Sequence, residues 1–233
     1  MCNYSTQPQP QHAPSSFSDA EPLLAAEVPD QPACTEALAL AQSSLPASVF
    51  NHSFRVFLYA RRACPLTNPL SGSPAAFAAP PMAPHVLFVA CILHDIGIAD
   101  AHGTEPERFE VAGANVAASL LRRHGVGDEE AREAWLAIAM HTSPHVAEGA
   151  GGLITALRLG VRADFGTYAG LGAGDLGEAE DRLPRMGVEK ELGDAVVKQA
   201  VALPSKAPGG AWPRDLVRAK EAEPEWEGVN KAF

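Results

Sequence analysis

Residues Val86–Asp100 read VLFVACILHDIGIAD. An apolar run, Val86 to Leu93, ends in an adjacent His94–Asp95 pair, and Gly97 follows two residues later. An apolar helix is a costly place for an imidazole and a carboxylate unless something offsets their desolvation. A divalent cation would do so. Both side chains are good ligands, and two adjacent ligands at a helix end can hold one ion from one side. His85 is a poor substitute: nine residues before His94, it falls on the opposite side of the helix at about 100° per residue.

At 233 residues one domain with tails is expected, with room for a sizeable core. The formal net charge of −10 argues against nucleic acid or an anionic membrane as partner, since both would repel the chain. The four cysteines (Cys2, Cys34, Cys64, Cys91) show no C-x-x-C spacing, so a disulfide framework is not expected and a reducing compartment is. No run of about 18 apolar residues and no basic-then-apolar leader occurs, and the expectation is a cytoplasmic or nuclear protein.

The periodicity predicts an all-α fold. Residues 1–18 are Gln/Pro/Ser-rich and read as a disordered tail. A domain is expected over 19–203, with its core at 46–168, and an arm, at the surface or disordered, over 204–233. Helices are predicted over Thr35–Ser43 and from Pro46 to Arg62, the latter with an inward stripe of Val49, His52, Val56 and Tyr59. Residues 64–84 hold six prolines and no helical period, which is the mark of a long loop, functional or merely tolerated. The central helix is expected over Pro84–Ile98. Thr104–Glu107 has capping-box spacing and predicts a helix to His124. Further helices are expected over Asp128–His141, Leu153–Tyr168 and Glu189–Ala202. No period-2 strand pattern is present.

His52 stands on an otherwise apolar stripe, and Asp164 is a carboxylate at an inward position of its own helix. Each alone reads as a hydrogen-bonded core residue. Together with His94–Asp95 they place two imidazoles and two carboxylates on three separate helices. That set suits one divalent transition metal, Zn²⁺ first, with Fe²⁺ or Mn²⁺ as alternatives, and leaves room for water and substrate.

These four residues resemble the ligand set of the HD-domain superfamily of helical metalloproteins. A closer resemblance is to its cyanamide hydratase-like branch. It is carried by Phe50-Asn51-His52-Ser53-Phe54-Arg55-Val56, Leu93-His94-Asp95-Ile96-Gly97, Arg108-Phe109-Glu110-Val111 with Gly113-Ala114, Ile138-Ala139-Met140-His141-Thr142-Ser143, and Gly160–Asp164. The resemblance implies one zinc and the addition of water across the nitrile of cyanamide to give urea. Ser143-Pro144-His145-Val146 and the Gly-rich 170–177 run depart from it. His141 is the candidate acid/base. Glu110 is expected to orient a ligand histidine through its second ring N–H. Arg55, one turn from His52, is expected to pair with an acid near the metal.

Three other readings stay open, one of them a non-catalytic interaction protein that kept the fold, against which the intact ligand set argues. A phosphohydrolase needs cations for phosphate oxygens, yet every lysine follows the site helices, and Ile98 stands where many phosphohydrolases of the superfamily carry lysine. A two-metal oxygenase would need two extra histidines, for which His124 and His141 are available. The expected partner is a small-molecule substrate, and exposed Ala/Leu helix faces would permit a homo-oligomer.

Overall fold

The computed structural model describes residues 24–63 and 82–225. Its helices are α1 (Pro32–Ser44), α2 (Ala47–Ala63), α3 (Pro84–Leu93), α4 (Phe109–Arg123), α5 (Asp128–Met140), the single turn α6 (Val146–Gly149), α7 (Gly152–Asp164), α8 (Ala173–Arg182), α9 (Val188–Ala202) and α10 (Trp212–Ala222). No strand occurs among the described residues. None of these helices is long and apolar enough to cross a membrane. The expected N-terminal tail and nearly all of the Pro-rich loop lie outside the described residues.

The apolar run becomes the hub. Pro84 starts α3 at a position where its missing N–H costs nothing, after Ala83 in extended conformation. Val86 to Leu93 are all buried, because a helix that is apolar all round must be covered all round. The cover comes from α1, α2, α4, α5 and α7. Burial of each large side chain in this helix is worth about 1.5–3 kcal/mol.

The helix stops at Leu93, five residues short of the expected end at Ile98. Asp95 leaves the helical region at φ −103° and ψ 5°, and two short 3₁₀ turns follow, Ile96–Ile98 and Asp100–His102. The reason is the approach of α4. A Cβ on residue 97 would lie 2.0 Å from the carbonyl oxygen of Phe109, and one on residue 113 would lie 3.1 Å from His94 O. Gly97 and Gly113 let α4 press onto the turn that carries His94 and Asp95. Gln199 of α9 fastens the same turn, its Nε2 donating to Ile98 O at 2.9 Å.

The Thr104–Glu107 capping box is not used: α4 begins at Phe109 after an extended Arg108. Pro106 pushes Glu105 out of helical conformation, and the carbonyls of Pro106 and Glu107 are taken by Ser205 and Lys206. The chain after residue 203 also differs from expectation. It is a docked element, a 3₁₀ turn followed by α10, with Pro213, Leu216 and Val217 buried.

Helices α2 and α7 pack along each other. They approach closely at Gly160, where a Cβ would stand 2.5 Å from Val56 O and 3.1 Å from Ala60 Cβ. Gly160→Ala is therefore expected to push the two helices apart at a cost of about 1–3 kcal/mol or more. A fall in Tm of several degrees by circular dichroism, with weaker metal retention, is the expected result. Cys34 and Cys91 are buried free thiols. Burial pushes the Cys34 thiol up to about 12 and Cys91 higher still, so both stay protonated and unreactive.

Candidate metal centre

Three buried side chains from two places in the fold converge. His52 comes from the middle of α2. His94 caps α3 and Asp95 follows it. One donor atom from each lies within 4.8 Å of the other two. His52 Nε2 is 3.2 Å from His94 Nε2, and Asp95 Oδ2 is 3.5 Å from the first and 3.1 Å from the second.

The protons decide what this cluster wants. The Nδ1 of His94 donates to Cys91 O at 2.8 Å. The Nδ1 of His52 donates to Asp164 Oδ2 at 2.7 Å. Each neutral ring has one N–H, so both Nε2 atoms present lone pairs, and they face each other. Both Asp95 oxygens are buried without a hydrogen-bond partner among the described residues. Lone pairs and a carboxylate aimed at one point, away from water, are stable only around a cation. A proton is the smallest such cation. Burial opposes charging His94, yet Asp95 outweighs it and raises the ring above its ordinary value. A divalent metal satisfies all three donors where a proton satisfies one pair, so the donor set fits a metal, and binding it would release that proton.

Asp164, expected as a fourth ligand, sits one hydrogen bond further out. It meets the opposite edge of the His52 ring, and its carboxylate is filled by a fork from Arg55: Nε to Oδ1 at 2.6 Å and Nη2 to Oδ2 at 2.9 Å. Burial alone would raise the Asp164 carboxyl, but His52 and Arg55 hold it well below the usual range. Arg55 itself is fully buried and also donates to Leu183 O at 2.8 Å, tying the α8–α9 connection to the site. Carboxylate–histidine–metal chains of this kind fix the ring and its tautomer. Asp164→Asn is thus expected to weaken metal binding about 10–100-fold, with full occupancy recovered at saturating metal. A site that stays empty at saturation would instead make Asp164 a ligand.

His141 follows α5 and enters the same space. Its Nδ1 donates to Ile138 O at 2.6 Å, which turns a bare Nε2 toward Asp95 Oδ1, 3.6 Å away. Burial, reinforced by His94, pushes its pKa down to about 3, so it is neutral at physiological pH. Glu110 does not take the orienting role expected of it. The second ring nitrogens are occupied by Cys91 O, Asp164 and Ile138 O. Glu110 instead receives Arg108 and the Thr142 hydroxyl, the latter at 2.7 Å, and so steadies the residue next to His141. His124 is not brought to the cluster: it lies at the end of α4 and pairs with Glu36 on the surface at 2.6 Å.

The cluster opens into a pocket of about 110 Å³. Its walls include Thr142, Arg158, Val161, Arg162, Phe165 and Trp212. The sequence reading missed Arg158 and Arg162. A signal existed: 158, 161, 162 and 165 recur at helical spacing and share a face of α7 and its end. Arg158 donates to Glu148 Oε1 and to His141 O, both at 2.9 Å, and Arg162 lies 3.5 Å from the same Glu148 oxygen.

The sequence model of the HD domain matches residues 49–192, more than half of the chain. The chain belongs to the HD-domain family. The matched span runs from the start of α2 into α9 and includes His52, the His94–Asp95 pair and Asp164. With its buried His-His-Asp cluster, this HD domain is that of a metal-dependent enzyme. No curated protein matches the sequence.

Proposed function

We propose that the protein is a hydratase that adds water to cyanamide or a similar small nitrile, with one divalent metal, Zn²⁺ for preference, held by His52, His94 and Asp95. The observation that carries the metal reading is the pair of facing Nε2 lone pairs beside a buried carboxylate with no hydrogen-bond partner among the described residues. The resemblance of the motifs around His52, His94 and His141 to the cyanamide hydratase-like branch supports the choice of substrate. A pocket of about 110 Å³ suits a small molecule with accompanying water.

A divalent cation bound there supplies Lewis acidity and lowers the pKa of water beside it toward neutrality. The chain supplies the rest. Neutral His141 holds a bare Nε2 on the Asp95 side of the cluster, where it can accept a hydrogen bond from water and orient it toward the nitrile. Asp164 and Arg55 hold His52 in one tautomer. Val161, Phe165 and Trp212 give the pocket an apolar wall that limits bulk water. In the net reaction the water oxygen becomes doubly bonded to the nitrile carbon, both π bonds of the nitrile and both O–H bonds break, and both water protons end on nitrogen. Cyanamide plus water becomes urea with nothing left over.

One observation favours a second reading, HD-type phosphohydrolysis: Arg158 and Arg162 both line the pocket. Against it, both guanidinia are already engaged, by Glu148, by His141 O and by Thr167 O. Urea release from cyanamide, run beside phosphate release from p-nitrophenyl phosphate on one metal-analysed sample, tests the choice. Urea is expected. Phosphate alone would move the activity to the second reading and leave the metal site standing.

A further inference from the structure

The chain after residue 203 lies beyond the family match, which ends at residue 192, yet it reaches the pocket. Ser205 Oγ donates to Pro106 O at 3.0 Å, and the buried Lys206 donates from Nζ to Glu107 O at 2.9 Å. These bonds pin the segment to the stretch that leads directly into Phe109 and α4. Helix α10 then packs on α9, burying Leu216 and Val217, with Ala211 buried just before it. The first residue of α10, Trp212, lines the pocket. Its ring lies 5.9 Å from that of Phe109, Phe109 stands edge-on 5.7 Å from His141, and His141 is 4.9 Å from His94. A chain of rings therefore runs from the C-terminal segment to the metal-binding cluster.

We propose that Trp212 is a specificity-determining wall: the C-terminal segment is an addition to the HD core that sets the largest ligand able to reach the cation. The inference rests on the reading of His52, His94 and Asp95 as a metal site. An indole is the bulkiest side chain a wall can carry. This one is held at the start of a helix whose neighbours are buried and whose approach is bonded at Ser205 and Lys206. Its backbone stands between buried Ala211 and buried Pro213 and its ring packs on Phe109, so the wall has a fixed footing. Removing it opens space on one side of the pocket while leaving every proposed metal ligand in place.

The test uses the full-length chain loaded with Co²⁺, whose visible bands report ligands entering the metal site without any turnover. Imidazole and 4-phenylimidazole are the probes. The wild type is expected to bind imidazole and to discriminate against 4-phenylimidazole. In Trp212→Ala the affinity for 4-phenylimidazole should rise by about tenfold or more, the scale of a size filter in an apolar pocket, with imidazole affinity unchanged. Trp212→Phe keeps a ring against Phe109 and should fall between the two, which guards against a merely unfolded alanine variant. Cobalt-loaded variants that discriminate as the wild type does would overturn the role of Trp212 alone. A wild type that takes up no cobalt would overturn the metal reading, and this inference with it.

Discussion

Arg55→Ala is expected to cost about 3–5 kcal/mol of stability, because it strips the buried Asp164 carboxylate of its two-pronged partner and, of its arginine contacts, leaves only the longer one from Arg185, 3.5 Å away. Both side chains of the Arg55–Asp164 pair are fully buried, so solvent cannot take over the role. At about 2–4 °C per kcal/mol for a chain of this size, Tm should fall on the order of 10 °C. Arg55→Lys should recover little. One ammonium cannot reproduce the two-pronged contact to Oδ1 and Oδ2 and the bond to Leu183 O. The sign with pH follows from the depressed Asp164 carboxyl. Its contribution is complete above the unfolded carboxyl value of about 3.9 and disappears as pH falls toward the folded one. The stability gap between wild type and Arg55→Ala should therefore be full at pH 7 and close in strong acid. A gap that persists unchanged in acid would mean that Arg55 stabilises by packing alone.

The second large effect concerns the metal. His94→Ala removes one of three converging donors and leaves His52 Nε2 and Asp95 facing a void. Purified wild type should carry about one transition metal per chain, and the variant should carry none after dialysis. Loss should exceed the 10–100-fold expected for Asp164→Asn, since a direct donor contributes more than the group that orients one. An alanine variant that keeps full metal would show that the cation lies elsewhere.

Much of this was legible in the chain itself. The all-round apolar run 86–93 demanded a buried helix, and a His-Asp pair at its end demanded a partner for both charges. His52 and Asp164 betrayed themselves as polar residues on apolar stripes. Arg55, one turn from His52, meets its acid in Asp164, a partner that spacing alone does not name. What sequence reading could not supply were the contacts between distant segments. Nothing local says that Phe109 O will lie where a Cβ of residue 97 would be, so the end of α3 at Leu93 was invisible. The Thr104–Glu107 cap lost to bonds from Ser205 and Lys206, about 100 residues later. An acid such as Glu110 is expected to orient a ligand ring through its second N–H. Here backbone carbonyls one turn away, Cys91 O and Ile138 O, already filled that need. Trp212 reaches the pocket through tertiary docking, and the sign of its helix, Pro213, Leu216 and Val217 at helical spacing, stands inside a tail whose Pro, Trp and Glu content hides it.

The most direct test is X-ray absorption at the metal edge of the purified, full-length protein, with metal content measured on the same sample. One cation per chain, with two imidazole nitrogens at about 2.0–2.1 Å, one carboxylate and solvent oxygen filling the open position, is the predicted result. A protein that binds no stoichiometric metal, or a shell without imidazole, would contradict the convergence of His52, His94 and Asp95 on one ion.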